Sequence, residues 1–238
     1  MNKLLHTPLT VHNVELANRL VMPPMATGKT PDGTVQDDLL SYYDARSKGG
    51  CIGLIVIEHA YVSPEGKAHE GQLSVSRDTD IPGLTKLVET IHKNNTRVIA
   101  QINHAGSAAM EEITGYPAIS ASVTAQSEYA RKSEKPVREM TADDMHTIAK
   151  KFEKAGVDLL DISGGFNGFT VKNRKGPGFF SDASSAIREA VHVPVILTGG
   201  VTKANEAEAL LEEGAADLIG VGRAIFKDAD WAKKEMEE

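Results

Sequence analysis

Short apolar runs alternate with amphipathic segments along most of the chain, and no other feature constrains its fold as strongly. The apolar runs have the length of strands and lie at residues 19–22, 51–57, 97–102, 157–162, 193–197 and 217–221. Helical patterns lie between or after them, at residues 36–48, 82–94, 140–155, 181–190, 203–213 and from about 228. Strands that alternate with amphipathic helices predict an α/β protein with a parallel sheet.

Local signals support one of these helix boundaries in particular. Thr141 is a good N-cap residue, and Asp144 stands at the third position of the helix that follows, where its carboxylate can complete a capping box. Gly156 follows the last helical residue and can adopt the left-handed conformation of a helix end. The pattern therefore predicts a helix between these residues.

Composition excludes several classes of protein. The 238 residues carry 26 basic and 33 acidic side chains, a net charge of −7, which argues against a nucleic-acid partner or a polybasic membrane arm. Cys51 is the only cysteine, so disulfide frameworks and cysteine-rich metal sites are excluded, and no other metal-binding motif occurs. No run approaches the roughly 18 apolar residues of a membrane span. The amino terminus has no signal-peptide pattern, so we expect a cytoplasmic protein.

Glycine or polar residues follow four of the predicted strands. These strand ends are Gln101 to His104, Ser163–Gly164, Thr198–Gly199–Gly200 and Gly222–Arg223. In a β/α barrel the carboxyl ends of the strands hold the ligand. Any one glycine pair is equally explained by the turn between strand and helix. The recurrence at successive strands favours a binding site.

Several segments together resemble the Old Yellow Enzyme family of FMN-dependent ene-reductases. They occur in the family's order, from near residue 8 to near residue 230. The segments are NRLVMPPM at 18–25, GLIVIE at 53–58, VSPEG at 62–66, QINHAG at 101–106, REMT at 138–141 and GVGR at 220–223. The resemblance implies a single TIM-type β/α barrel domain over residues 1–238, with FMN at the carboxyl ends of the strands.

The resemblance also implies roles for particular residues. Those expected at the cofactor are Pro24, Met25, Ala26 and Thr27 beside the flavin, Gln101 at its pyrimidine edge, and Ser163, Gly164, Gly199, Gly200, Gly222 and Arg223 toward the ribityl chain and phosphate. The chemistry agrees, because glycine lets backbone N–H groups approach an anion and arginine binds phosphate oxygens with two donors. A surface ion pair is the alternative for Arg223.

The chain departs from the family in the middle. The helix from residue 140 leads directly into a segment that resembles the sixth barrel strand, and residues 103–156 contain no apolar run for the two strands between. We therefore expect a shortened barrel of about six strand–helix units. The family's substrate-binding histidine pair, its proton-donating tyrosine and its basic residue beside the flavin have no counterpart. Six strands leave two open edges, so a homo-oligomer or a domain-swapped dimer is expected.

Two histidines near the expected cofactor have alternative interpretations. His104 follows Gln101 by three residues and is the candidate catalytic acid, although it would serve equally well as a cap for the adjacent turn. His59 stands where relatives often carry a small residue beside the flavin. It indicates either a changed pocket or a small change in the direction of the strand.

The favoured function is an oxidoreductase that passes hydride from NADH or NADPH through FMN to an activated alkene or a similar small-molecule acceptor, with impaired activity. Two alternatives remain: a flavin- or phosphate-binding barrel remnant without turnover, and an assembly scaffold that uses its open strand edges. The sequence specifies neither the substrate nor the preferred nicotinamide.

Overall fold

This computed structural model describes residues 4–118, 141–163 and 175–237, which form nine strands and eight α-helices. The strands are β1 Leu9–Val11, β2 Val14–Leu16, β3 Leu20–Met22, β4 Leu54–Tyr61, β5 Leu73–Ser74, β6 Arg97–Asn103, β7 Leu160–Ile162, β8 Val195–Thr198 and β9 Leu218–Gly220. The helices are α1 Asp37–Ser47, α2 Ile81–His92, α3 Glu111–Thr114, α4 Ala142–Lys154, α5 Ser181–Ala190, α6 Ala204–Glu212, α7 Arg223–Lys227 and α8 Trp231–Glu237.

Six strands form a parallel sheet in the order β6–β4–β3–β9–β8–β7. The two-residue strand β5 pairs with the end of β4. The predicted α/β class is confirmed, and the described residues contain all six predicted strands. The hairpin of β1 and β2 and the short β5 were not predicted, because β1 and β2 contain polar residues that interrupt any apolar run and β5 has only two residues. That residues 1–238 form one domain stays a prediction.

The sheet buries apolar side chains on both faces. The inner cluster consists of Leu16, Val21, Leu54, Ile196 and Leu218, each at most 2% exposed. Four of these residues lie in the main strands, and Leu16 comes from the hairpin, which covers the amino ends of the strands. The larger outer cluster packs α1, α2, α6 and α8 on the other face. Burial on both faces explains the continuous apolar run in β4.

The main strands that come first and last in sequence, β3 and β9, are paired side by side in the middle of the sheet. In this pair Leu20 lies opposite Ile219, and Val21 lies opposite Gly220. The Glu208 carboxylate on α6 strengthens the junction by accepting hydrogen bonds from the backbone N–H groups of residues 4 and 5, both at 2.8 Å. Segments near the two ends of the chain thus contribute neighbouring strands to one continuous sheet.

Among the described strands, β6 and β7 lie at the two edges of the sheet. Within the described residues, β6 pairs only with β4, and β7 pairs only with β8. On β6, Ile99 is 45% exposed and Ile102 is 68% exposed, although β-branched apolar residues usually lie buried in a parallel sheet. The described residues that lie between β6 and β7 in sequence contain no strand.

Helix α4 precedes β7 in the chain and packs against α5. The predicted capping box is confirmed, since Thr141 Oγ1 accepts from the Asp144 N–H at 3.3 Å and Asp144 Oδ2 accepts from the Thr141 N–H at 2.8 Å. Gly156 has the predicted positive φ, 91°. The helix packs against α5, and Glu153 accepts from the backbone N–H of His192 at 2.6 Å. These contacts bring the chain to β7 beside β8.

Across the described ranges, none of the helices combines the length and the apolar character needed to cross a membrane.

Candidate functional site

A cleft of about 1030 Å³ lies at the carboxyl ends of the six main strands. Its lining includes ten of the thirteen residues predicted for the site: Pro24, Met25, Ala26, His59, Gln101, Ser163, Gly199, Gly200, Gly222 and Arg223. Parallel strands explain this convergence, because their carboxyl ends all lie on the same edge of the sheet. Residues far apart in sequence therefore share one concave surface.

The ends of β3 and β9 meet on one side of the cleft. Gly222 has ordinary space around it: a Cβ atom there would lie 3.4 Å from Pro23 Cγ and 3.5 Å from Met25 Sδ, without a clash. Packing therefore does not require glycine at this position. A side chain at residue 222 would instead reduce the open volume of the cleft.

Unlike Gly222, the glycine pair after β8 is required by its local structure. A Cβ atom on Gly199 would lie 3.0 Å from the rings of Phe179 and Phe180. Gly200 has a φ of 75°, and a Cβ atom there would overlap the carbonyl oxygen of Gly176. Close packing and backbone conformation account for both glycines, as the turn interpretation predicts. Both residues nevertheless line the cleft.

Arg223 begins α7 and borders the cleft with an exposed side chain. Within the described residues it forms no ion pair, so the structure does not support the alternative of a surface salt bridge at this residue. Helix α7 is held in place by Arg46 of α1, whose guanidinium donates to the carbonyl oxygens of Ile225 at 3.2 Å and Phe226 at 2.9 Å. The Arg46 guanidinium also stacks on the Tyr42 ring, 3.6 Å from its centroid.

His59 lies at an irregularity of β4, where the pairing register with β6 shifts between Ile57 and Ala60. His59 lines the cleft next to this irregularity, and its role at the cofactor stays a prediction. Its Nε2 lies 3.0 Å from Nε2 of His69, and its Nδ1 lies 3.4 Å from Nε2 of Gln72.

Hydrogen-bond chemistry fixes the tautomers of this histidine pair. Nδ1 of His69 lies 2.7 Å from the carbonyl oxygen of Glu70, which can only accept, so His69 carries its proton on Nδ1. His59 then donates from Nε2 to His69 and accepts at Nδ1 from Gln72. Burial, and secondarily the charge of His69, lower the pKa of His59. The neutral form of His59 thus has both ring nitrogens in use.

Glu58, next to His59, is fully buried. Its carboxylate accepts from the backbone N–H of Thr27 at 2.7 Å and from the Thr27 hydroxyl at 2.8 Å. Burial raises the pKa of Glu58, and the hydrogen bonds from Thr27 oppose that rise. Thr27 is predicted to line the flavin, but the structure ties it to Glu58, outside the cleft lining. This bond fixes the loop after β3.

His104 also lies outside the cleft lining. Its Nδ1 accepts from the backbone N–H of Gly106 at 3.0 Å. Its ring occupies the space beside Gly66, where a Cβ atom would come within 3.0 Å of three ring atoms. These contacts fit the turn-cap alternative. The catalytic role of His104 stays a prediction without support from its position. Gly164 lies outside the described residues.

Asp161 is a cleft residue that the sequence analysis did not select. It lies in β7, two residues before Ser163, and both residues line the cleft. The period of two in a strand could have identified it, because residues i and i+2 point to the same face. The Thr198 hydroxyl donates to Asp161 Oδ1 at 3.2 Å. Desolvation by the walls of the cleft raises the pKa of Asp161 to about 6 and outweighs the opposing bond from Thr198, while part of the side chain stays exposed to solvent.

Known proteins resemble this chain in sequence and in fold. A sequence profile of the NADH:flavin oxidoreductase / NADH oxidase family matches residues 4–176 and 168–238. A metal reductase of Desulforamulus reducens is 24% identical over 326 aligned positions that cover 98% of this chain and 48% of the relative. That alignment is 88 positions longer than the 238-residue chain, so the relative has residues that this chain lacks.

Solved structures show the same fold. A 2-naphthoyl-CoA reductase in complex with 2-naphthoyl-CoA superposes with a TM-score of 0.82 at 18% identity, over all of this chain and 52% of that protein. An Old Yellow Enzyme homologue from Zymomonas mobilis superposes with a TM-score of 0.68 at 17% identity, over 98% of this chain and 92% of that protein. The chain thus spans about half the length of the first of these structures and of the Desulforamulus relative.

The profile match over both halves of the chain and the shared strand-end cleft agree with the resemblance seen in the sequence. The chain is a shortened member of the NADH:flavin oxidoreductase / NADH oxidase family, the family of Old Yellow Enzyme.

Proposed function

We propose that the cleft binds FMN and that the chain passes hydride from NADH or NADPH to a small-molecule acceptor such as an activated alkene. The observation that carries this proposal is the convergence of the predicted cofactor residues on one cleft at the strand ends. Its volume of about 1030 Å³ is just above the usual range for ligand and cofactor pockets, which is large enough for a cofactor and a small acceptor. Family membership supports the same cofactor and reductants.

The residues present fit such a cofactor. Gly222 leaves open space beside Pro23 and Met25 that a side chain would fill. Arg223 stands at the same end without a partner in the described part of the chain, and a guanidinium binds phosphate oxygens with two donors. Gln101 offers an amide that can both donate and accept, as the pyrimidine edge of a flavin requires.

When bound, FMN accepts hydride from a reduced nicotinamide and delivers hydride to the acceptor. The apolar side chains of Pro24, Met25 and Ala26 would lie along one side of the ring and exclude water. Gly199 and Gly200 would present backbone to the polar tail of the cofactor, as would Ser163. The roles of Thr27, Gly164 and His59 in holding FMN stay predictions.

Anaerobic stopped-flow absorbance tests the function. After loading with FMN, we expect NADH or NADPH to bleach the flavin and an enone to restore its colour. Bleaching without recovery by any acceptor would favour the second candidate, a flavin-binding barrel remnant, which is motivated by the lack of sequence counterparts to the family's substrate-binding histidine pair and tyrosine. Failure to bleach with either nicotinamide would contradict the proposal.

Arg223→Ala tests the phosphate end of the cleft. Loss of a charge-assisted hydrogen bond should weaken FMN binding by about 1.5–3 kcal/mol, or roughly 10- to 150-fold. Fluorescence quenching of FMN gives the dissociation constants, with Lys233→Ala on the exposed face of α8 as the control. Equal affinities for wild type and Arg223→Ala would remove Arg223 from the site.

We also propose that the chain self-associates through its open strand edges. On their outer edges β6 and β7 have no partner strand among the described residues, and Ile99 and Ile102 expose apolar surface on β6, so these edges can pair with a second copy. Light scattering at several concentrations should show a dimer or larger species, and Ile102→Lys should shift it toward monomer. Val14→Lys, at a residue 43% exposed on the hairpin, is the control. A wild-type chain that stays monomeric at all concentrations would exclude this assembly.

A cytoplasmic location remains part of the proposal, to be tested by fractionation of cells that express the full-length gene product.

A further inference from the structure

The reduction of an alkene needs a proton as well as a hydride, and the cleft must supply a group that carries one. Among the described residues, the titratable side chains that line the cleft are His59, Asp161, Arg223 and Lys227. Arginine and lysine side chains release protons too reluctantly near neutral pH to act as acids. The choice among the described cleft residues is therefore between His59 and Asp161.

His59 is poorly placed to release a proton into the cleft. Its Nε2 proton is held by His69 at 3.0 Å, and its Nδ1 accepts from Gln72 at 3.4 Å. The lowered pKa of His59 keeps the ring neutral near pH 7. His104 has its Nδ1 bonded to the Gly106 N–H and lies outside the lining.

Asp161 has the opposite properties. Its carboxyl group lines the cleft, keeps access to solvent and has one hydrogen-bond partner in the described part of the chain, the Thr198 hydroxyl at 3.2 Å. No described lysine or arginine forms an ion pair with it. One carboxyl oxygen therefore remains available for an acceptor in the cleft.

We propose that Asp161 is the catalytic acid of the cleft and protonates the acceptor as hydride arrives. This inference rests on the proposed function. For an activated alkene, hydride from the reduced flavin bonds to the β-carbon, and the π-electron pair forms a bond to the proton at the α-carbon. The O–H bond of Asp161 breaks, and its carboxylate then takes a proton from solvent. The nicotinamide supplies both electrons.

The ionisation of Asp161 fits this role. Its pKa of about 6 results from burial, opposed by the hydrogen bond from Thr198, and the charged groups of the same cleft, Arg223 and Lys227, are not among its causes. The carboxyl form donates, so the protonation step should be fastest below pH 6 and should fall about tenfold per pH unit above it. An aspartic acid with its ordinary pKa would have a far smaller protonated fraction at pH 7.

Half-reactions separate a catalytic role from a structural one. The variants are Asp161→Asn and the control Asp158→Asn, an exposed carboxylate just before β7 that faces His12 at 3.5 Å. We expect Asp161→Asn to slow reoxidation by an enone about 10²-fold and to abolish its pH dependence. Flavin reduction by NADPH, and reoxidation by ferricyanide, which takes electrons without protonation at carbon, should be unchanged. Asp158→Asn should behave like wild type in all three steps.

A second variant and a second readout guard against a folding defect. Asp161→Glu keeps a carboxyl acid and should retain a pH-dependent enone step. Carboxyl ¹³C NMR of the flavin-free chain should show a titration with a midpoint near pH 6 that is missing from Asp161→Asn.

The outcomes distinguish a failure of the proposed function from a failure of the role assigned to Asp161. A wild-type chain that does not bind FMN, or is not reduced by NADH or NADPH, or does not react with an enone, overturns the proposed function and this inference together. A wild-type chain that reacts with an enone at the same rate as Asp161→Asn overturns the role of Asp161 alone. A carboxyl titration midpoint near pH 4 for Asp161 would also overturn that role.

Discussion

The parallel pairing of β3 with β9 is the constraint on which the rest of the structure depends. It joins residues 20 and 21 to residues 219 and 220, almost the whole chain apart in sequence. Without this pairing the sheet would divide into two halves of three strands each, β6–β4–β3 and β9–β8–β7. With it, the strand ends that carry Met25 and Gly222 lie side by side and the cleft has a continuous wall. The backbone contacts of Glu208 with the first described residues reinforce the same junction.

The sequence predicts the main strands and several strand-end residues of the cleft from local patterns, and the family resemblance adds the remaining cleft residues. Burial on both faces makes strands such as β4 read as apolar runs, and the alternation with helices requires them to be parallel. Parallel strands place their carboxyl ends together, so Gln101, Ser163 and Gly222 could be assigned to one site before any contact was known. The capping box of Thr141 and Asp144 is likewise a local signal, and it set the start of α4 correctly.

Features that depend on tertiary contacts were beyond such patterns. The role of the Gly199–Gly200 pair is decided by Phe179, Phe180 and Gly176, which pack against it from another segment. The tie between Thr27 and Glu58 also depends on side chains that meet only in the folded chain. The sequence analysis did not select Asp161, because its raised pKa depends on its position in the folded cleft. The period of two in β7 nevertheless indicates that it lies on the same face as Ser163. The shortened middle was visible in the sequence, but the packing of α4 against α5 that accommodates it was not.

The central claim, a flavin site built from six strand ends, is tested most directly by the absorbance spectrum of the purified chain after addition of FMN and desalting. The account predicts that the chain retains flavin in near-stoichiometric amount, with bands shifted from those of free FMN by the apolar side of the cleft. A chain that emerges colourless from desalting, and that shows no quenching of FMN fluorescence at micromolar concentrations, would contradict it.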